Sequence, residues 1–187
     1  MSIDRMIPSG SQTVGPYFRI GLEHLVCKTS VTESAAGKIE IHGKVLDRDG
    51  EPVPDAMLEF WGADPSGAYS GAASRSSGYP AGFQRLATDL DGSFVLSLSK
   101  PGPTPCGDGR VQAPHLLVLV FARGLLRHLI TRVYFEKESA NDSDPVLLEL
   151  PVERRHTLVA ACDATRPNVF RWNVILQGND ETVFFAW

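Results

Sequence analysis

The chain has 187 residues, 43% of them hydrophobic and 21% charged, with a formal net charge of −4. That is enough to bury a sizeable core in one domain spanning residues 1–187, and it supplies no positive field for nucleic acid or an anionic membrane. The opening MSIDRMIPSG has no apolar h-region, and the longest uncharged apolar run, Ala113 to Ala122, is too short to cross a bilayer, so a cytoplasmic protein is expected.

In chain order, SQTVGPYF comes first, where Gly15-Pro16 forces an extended approach that serves either to line a pocket or to dock a terminus. GLEHLV reads as one or two helical turns. In KIEIHGKVLDRDGEPVPDAMLEFWGAD the apolar residues alternate through Ile39, Ile41 and Val45, turn at DRDGEPVP, and return at Met57, Phe60 and Trp61. This predicts a hairpin or a pair of successive strands. TDLDGSFVLSL repeats the device around Asp91-Gly92, and APHLLVLVFA suits a strand buried on both faces. RHLITRVYF, HTLVAACD and FRWNVILQG add three strands, while DPVLLELPVERRHTL reads either as a short helix or as a strand leading into a turn. Residues 63–84 and 101–114 carry no regular pattern, and loops of that length are either functional or disordered. The expected fold is all-β, a sandwich or barrel with long loops and little helix. Cys27, Cys106 and Cys162 are far apart and form no CxxC pair, which fits reduced thiols.

His115 opens the strand HLLVLVF, and Leu117 shares its face where a two-histidine metal site would want a second imidazole. By itself His115 is a hydrogen-bonded core or rim residue, or a ligand. Tyr69, Tyr79 and His115 together could offer phenolate and imidazole to a ferric ion. Arg132, set between apolar residues in LITRVYF, is paired with a carboxylate, extended to the rim, or open to a ligand anion. A phosphate loop, a nucleophile elbow and an HExxH pair are all missing from the sequence, so hydrolase chemistry has little support.

Taken together, SQTVGPYF, GKVLDRDGEPVPDAMLEFWGADPSGAY, TDLDGSF, KPGPTP, APHLLVLVFARGLLRHLITRVYF and LQGNDETVFF resemble the intradiol ring-cleaving dioxygenases, in the family's order from about residue 11 to residue 185. The resemblance implies an intradiol-dioxygenase-like β-sandwich. In that family two tyrosines and two histidines hold ferric iron; the first tyrosine maps onto Tyr69, the second onto Thr104, and the HxH pair onto His115 and Leu117. Gln112 stands where the iron-holding chain has an arginine. With two ligands gone, the resemblance is to the subunit that does not hold the metal, so that Tyr69, Thr104, His115 and Leu117 are degenerate positions and this chain alone has no catalytic residue.

The resemblance further implies a partner, a homologous iron-binding beta subunit that carries the Fe(3+), in a higher hetero-oligomer of alpha-beta units. The active site would lie at their interface, where a carboxylated catechol and dioxygen yield a carboxy-muconate. Residues 1–20 would be an N-terminal arm contacting the partner, and Thr13, Gly15, Pro16 and Arg132 would bind substrate. Two alternatives stand beside this. One is a transthyretin-like β-sandwich acting as a binding module, which the two long loops oppose. The other is a self-sufficient intradiol enzyme, which Thr104 and Leu117 oppose.

Overall fold

The computed structural model describes residues 17–26, 37–69 and 82–186. Thr13, Gly15, Pro16, Cys27 and Tyr79, and most of the expected arm, lie outside the described residues. The elements are α1 (Tyr17–Leu22), β1 (Lys38–Leu46), β2 (Met57–Gly62), β3 (Phe83–Ala87), β4 (Ser93–Ser99), β5 (Thr104–Pro105), β6 (Val111–Gln112), β7 (His115–Phe121), β8 (Leu129–Phe135), α2 (Pro145–Glu149), α3 (Val152–Arg155), β9 (Val159–Cys162), β10 (Val169–Arg171) and β11 (Val174–Ile175).

Two layers face each other. In one, β1 pairs antiparallel with β4 from Lys38↔Ser99 to Lys44↔Ser93 and parallel with β10. In the other, β3, β2, β7 and β8 run as antiparallel neighbours. Strand β9 joins them, since its first residues pair with β8 (Tyr134↔Val159) and its last with β10 (Phe170↔Cys162). The core lies between, with Ile41 and Leu96 from the first layer and Leu58, Leu116, Val118 and Val133 from the second, all fully buried. Phe60 meets Phe94 across the gap with ring centroids 5.9 Å apart. This is the expected sandwich with little helix, rather than a closed barrel.

Three local expectations are refined. The strands flanking DRDGEPVP are successive strands of different layers and not a hairpin, because β1 pairs with β4 and β2 with β3 and β7. Strand β7 is buried along one face, where Leu116, Val118 and Val120 enter the core, while on the other side Leu117, Leu119 and Phe121, beyond the buried His115, are partly exposed. Residues 101–114 contain the small hairpin β5–β6, with Thr104 opposite Gln112, closed by Cys106 N–H donating to the Arg110 carbonyl at 2.7 Å.

DPVLLELPVERRHTL forms α2 and α3. Asp144 caps α2, accepting from Val146 N–H and Leu147 N–H at 2.9 Å each, and Pro145 occupies the first turn, where its missing N–H costs nothing. Cys106 and Cys162 are free thiols.

Candidate functional site

The outer face of β2, β7 and β8 carries the sequence's chemistry. Register places Trp61 opposite Leu117 and Leu117 opposite Arg132, a row across three strands. His115 and Leu119 flank Leu117 at intervals of two on the same face. With Tyr69 arriving from the loop after β2, these residues line an open cavity of about 480 Å³.

Tyr69 reaches the cavity because of how its loop is tied. Asp64 accepts from Ser66 N–H at 2.8 Å, Ser66 O–H at 2.6 Å and Ala68 N–H at 3.1 Å, which winds residues 64–68 into a tight turn. The same hydrogen bonds, that from the Ser66 hydroxyl first, hold the Asp64 carboxyl below the usual carboxylate range. Gly67 sits at φ 86°, and a Cβ there would fall 2.0 Å from the Pro103 carbonyl oxygen. Only glycine allows this turn to lie against the Pro101–Thr104 segment.

His115 is 3% exposed. Its Nδ1 lies 2.7 Å from the Ala113 carbonyl oxygen, which can only accept, so the ring proton belongs on Nδ1 and Nε2 remains an acceptor. The Tyr69 hydroxyl faces that nitrogen at 3.5 Å. Burial above all, with the nearby Arg132 cation second, pushes the His115 pKa down to about 4. Burial pushes the Tyr69 phenol up, against the smaller opposing pull of Arg132. At neutral pH both groups are therefore uncharged.

Arg132 Nη1 donates to Gln112 Oε1 at 2.5 Å and to Tyr134 Oη at 3.3 Å. The Tyr134 hydroxyl donates in turn to Asp144 Oδ1 at 3.1 Å, and Asp144 Oδ2 accepts from Ala113 N–H at 2.8 Å. Burial raises the Tyr134 phenol well above its ordinary value. Among the described residues Arg132 makes no direct ion pair; it lines the cavity, and its guanidinium is held by the neutral oxygens of Gln112 and Tyr134. The neighbouring cation on this side of the sheet, Arg85, is committed to Glu59.

The structure thus unites Tyr69, His115, Leu117 and Arg132, while Thr104 is buried on β5 at 4% exposure and does not line the cavity. Its Oγ1 has no hydrogen-bond partner among the described residues. Sequence reading did not assign Trp61, Tyr134 or Asp144 to the site. The Asp-Pro pair before an apolar run was a readable cap signal for Asp144, but nothing local indicated that its other oxygen would reach Ala113.

Ferric iron does not fit these residues. Tyr69 and His115 supply two donors, Leu117 and Thr104 add none to the cavity, and a guanidinium shares the space. Among the described residues no group of three or more His, Cys, Asp or Glu side chains is placed to hold a metal ion.

A family model described as Dioxygenase (Dioxygenase_C) matches residues 15–178. The chain is 45% identical to the protocatechuate 3,4-dioxygenase alpha chain of Burkholderia cepacia, covering 94% of this chain and 95% of that one. It is 36% identical to the alpha chain of Pseudomonas putida over 99% of each. The protocatechuate 3,4-dioxygenase beta chain of Burkholderia cepacia is 26% identical over 92% of this chain and 77% of that one. Among solved structures, the dioxygenase domain of a dioxygenase carbohydrate-binding protein fusion from Streptomyces sp. SirexAA-E superposes with a TM-score of 0.61 at 24% identity, covering 95% of this chain and 96% of that one, a likeness of fold. The family match runs through both long loops and does not favour the transthyretin-like module.

Proposed function

The chain belongs to the intradiol ring-cleavage dioxygenase family, and from that premise we propose that it is the non-iron-binding, alpha-type subunit of a protocatechuate 3,4-dioxygenase. The assembled enzyme converts protocatechuate and dioxygen to 3-carboxy-cis,cis-muconate, placing both oxygen atoms in the product, as a step of aromatic catabolism. The Fe(3+) is held by a homologous beta subunit, and the two chains share the active site within a cytoplasmic hetero-oligomer. The observation that carries this reading is near full-length similarity to alpha chains, joined to a cavity whose described lining offers a metal only Tyr69 and His115 as ordinary donors.

In this reading residues 1–187 form one domain and residues 1–20 are an arm against the partner, with Thr13, Gly15 and Pro16 lining the shared pocket. Arg132 recruits the substrate carboxylate. The catechol oxygens are engaged elsewhere, and a guanidinium fork free of any carboxylate partner among the described residues suits a ring carboxylate. Tyr69, Thr104, His115 and Leu117 hold no metal, and no residue of this chain acts alone as a catalyst.

The test is expression of the chain alone and together with its beta-type partner, followed by iron content, visible absorption and protocatechuate-dependent oxygen uptake. The chain alone should be colourless and inactive, and the pair coloured and active; an iron-loaded, coloured homomer overturns the assignment. Arg132→Ala in the pair should lower kcat/KM for protocatechuate by about tenfold to a hundredfold, the worth of one charge-assisted contact, with much less effect on catechol. Equal losses with both substrates would remove Arg132 from carboxylate recognition.

A further inference from the structure

We propose that the cavity of this chain binds a hydroxybenzoate without any metal, with the carboxylate on Arg132 and the unionised ring hydroxyl between Tyr69 and His115. This rests on the reading of Arg132 as a carboxylate binder and extends it to the opposite, polar corner of the cavity.

Three features of the geometry point to this ligand class. The size comes first: about 480 Å³ lies within the range of small-molecule sites, and the walls Trp61, Leu117 and Leu119 are apolar, as a benzene ring requires. Second is the arrangement of polar groups. Arg132 stands directly across from Leu117, and His115 lies two residues along the same face, roughly 6.6 Å of strand. A cation and a hydrogen-bonding corner at that spacing match a ring with a carboxylate at one end and a hydroxyl near the other.

Third is the unfinished contact at the corner. The Tyr69 hydroxyl and His115 Nε2 are 3.5 Å apart, beyond a good O–H···N hydrogen bond. His115 is nearly fully buried, and its Nδ1 proton is already given to the Ala113 carbonyl, so Nε2 is an acceptor met only by the long contact from the Tyr69 hydroxyl among the described residues. A ligand hydroxyl entering there donates to Nε2 and accepts from the Tyr69 hydroxyl, completing both groups. This complementarity is to a neutral phenol, because an anionic oxygen would offer no proton to Nε2.

The experiment is calorimetric titration of the full chain with 4-hydroxybenzoate, benzoate and phenol, with and without a metal chelator, and the same titrations on the complex with its beta-type partner. The expected result is saturable, chelator-insensitive binding of 4-hydroxybenzoate to the chain alone, weaker binding of benzoate, and none of phenol at equal concentration. Arg132→Gln should weaken both carboxylates about tenfold or more, whereas Tyr69→Phe should weaken 4-hydroxybenzoate about fivefold to tenfold and leave benzoate unchanged. If the chain is insoluble alone, the Tyr69→Phe comparison in the complex decides the matter, since only this chain carries the substitution. Binding that needs the partner's metal, or that Tyr69→Phe leaves unchanged for 4-hydroxybenzoate, overturns the inference. An inactive complex whose alpha chain still binds 4-hydroxybenzoate in this pattern would instead overturn the proposed function and leave this inference standing.

Discussion

Asp144→Ala tests how the cavity is held. The Asp144 carboxylate is fully buried and accepts from Ala113 N–H, Val146 N–H, Leu147 N–H and the Tyr134 hydroxyl. Losing the cap of α2 costs about 1 kcal/mol. Ala113 N–H and the Tyr134 hydroxyl are then left buried without an acceptor, at roughly 1–3 kcal/mol each. Relief from burying a carboxylate offsets part of this, so a net loss of about 3–5 kcal/mol is expected, out of a typical 5–15. For a chain of this size that is a fall in Tm of roughly 6–20 °C. Asp144→Asn keeps one acceptor oxygen for the cap and should lose about half as much. Thermal and urea unfolding of the three proteins, followed by circular dichroism, measures both. A loss under about 1 kcal/mol for Asp144→Ala, or equal losses for Ala and Asn, would refute the argument that one buried carboxylate ties α2, Tyr134 and the backbone before His115 together.

Three other outcomes are expected. Thr104→Val should be neutral or stabilising by up to about 1 kcal/mol in urea unfolding, because the buried Oγ1 has no partner among the described residues to lose. His115, with its pKa depressed from 6.5 to about 4 in the fold, contributes stability that is complete above the unfolded value and is lost as pH falls from about 6.5 towards 4. Lowering the pH from 7 to 5 should therefore cost the native protein about 2 kcal/mol more than it costs His115→Gln, by urea midpoints at each pH. Gly67→Ala should destabilise the protein by at least 1–2 kcal/mol, since the added Cβ meets the Pro103 carbonyl in a left-handed conformation, and it should weaken any ligand contact that depends on Tyr69.

The β-rich class was readable because it rests on local features. The alternation through Ile39, Ile41 and Val45, and the turns at Asp91-Gly92 and around Asp47–Gly50, follow from a period of two and from residues that tolerate turn dihedrals. The helix at Pro145 was legible as an alternative only, because short apolar runs look the same as strand or helix until the cap is seen in use. Residues 101–114 looked patternless because a hairpin of two-residue strands is shorter than any periodic signal.

What the sequence determined by itself was the order of strands and turns, the presence of threonine at 104 and leucine at 117 rather than tyrosine or histidine, and the presence of a lone arginine in LITRVYF. Each is a property of residue type at a position. Only the tertiary structure decided that β1 and β2 belong to different layers, that one face of β7 stays open, and that Tyr69, from a loop 46 residues before His115, meets its ring. It alone decided that Gln112 and Tyr134 would steady Arg132 and that a helix cap at Asp144 would hold Tyr134 and the backbone at Ala113. Those facts depend on strand register and on contacts between residues far apart in the chain. Local propensity and spacing carry no record of either, because the same side chains would face elsewhere after a one-residue slip.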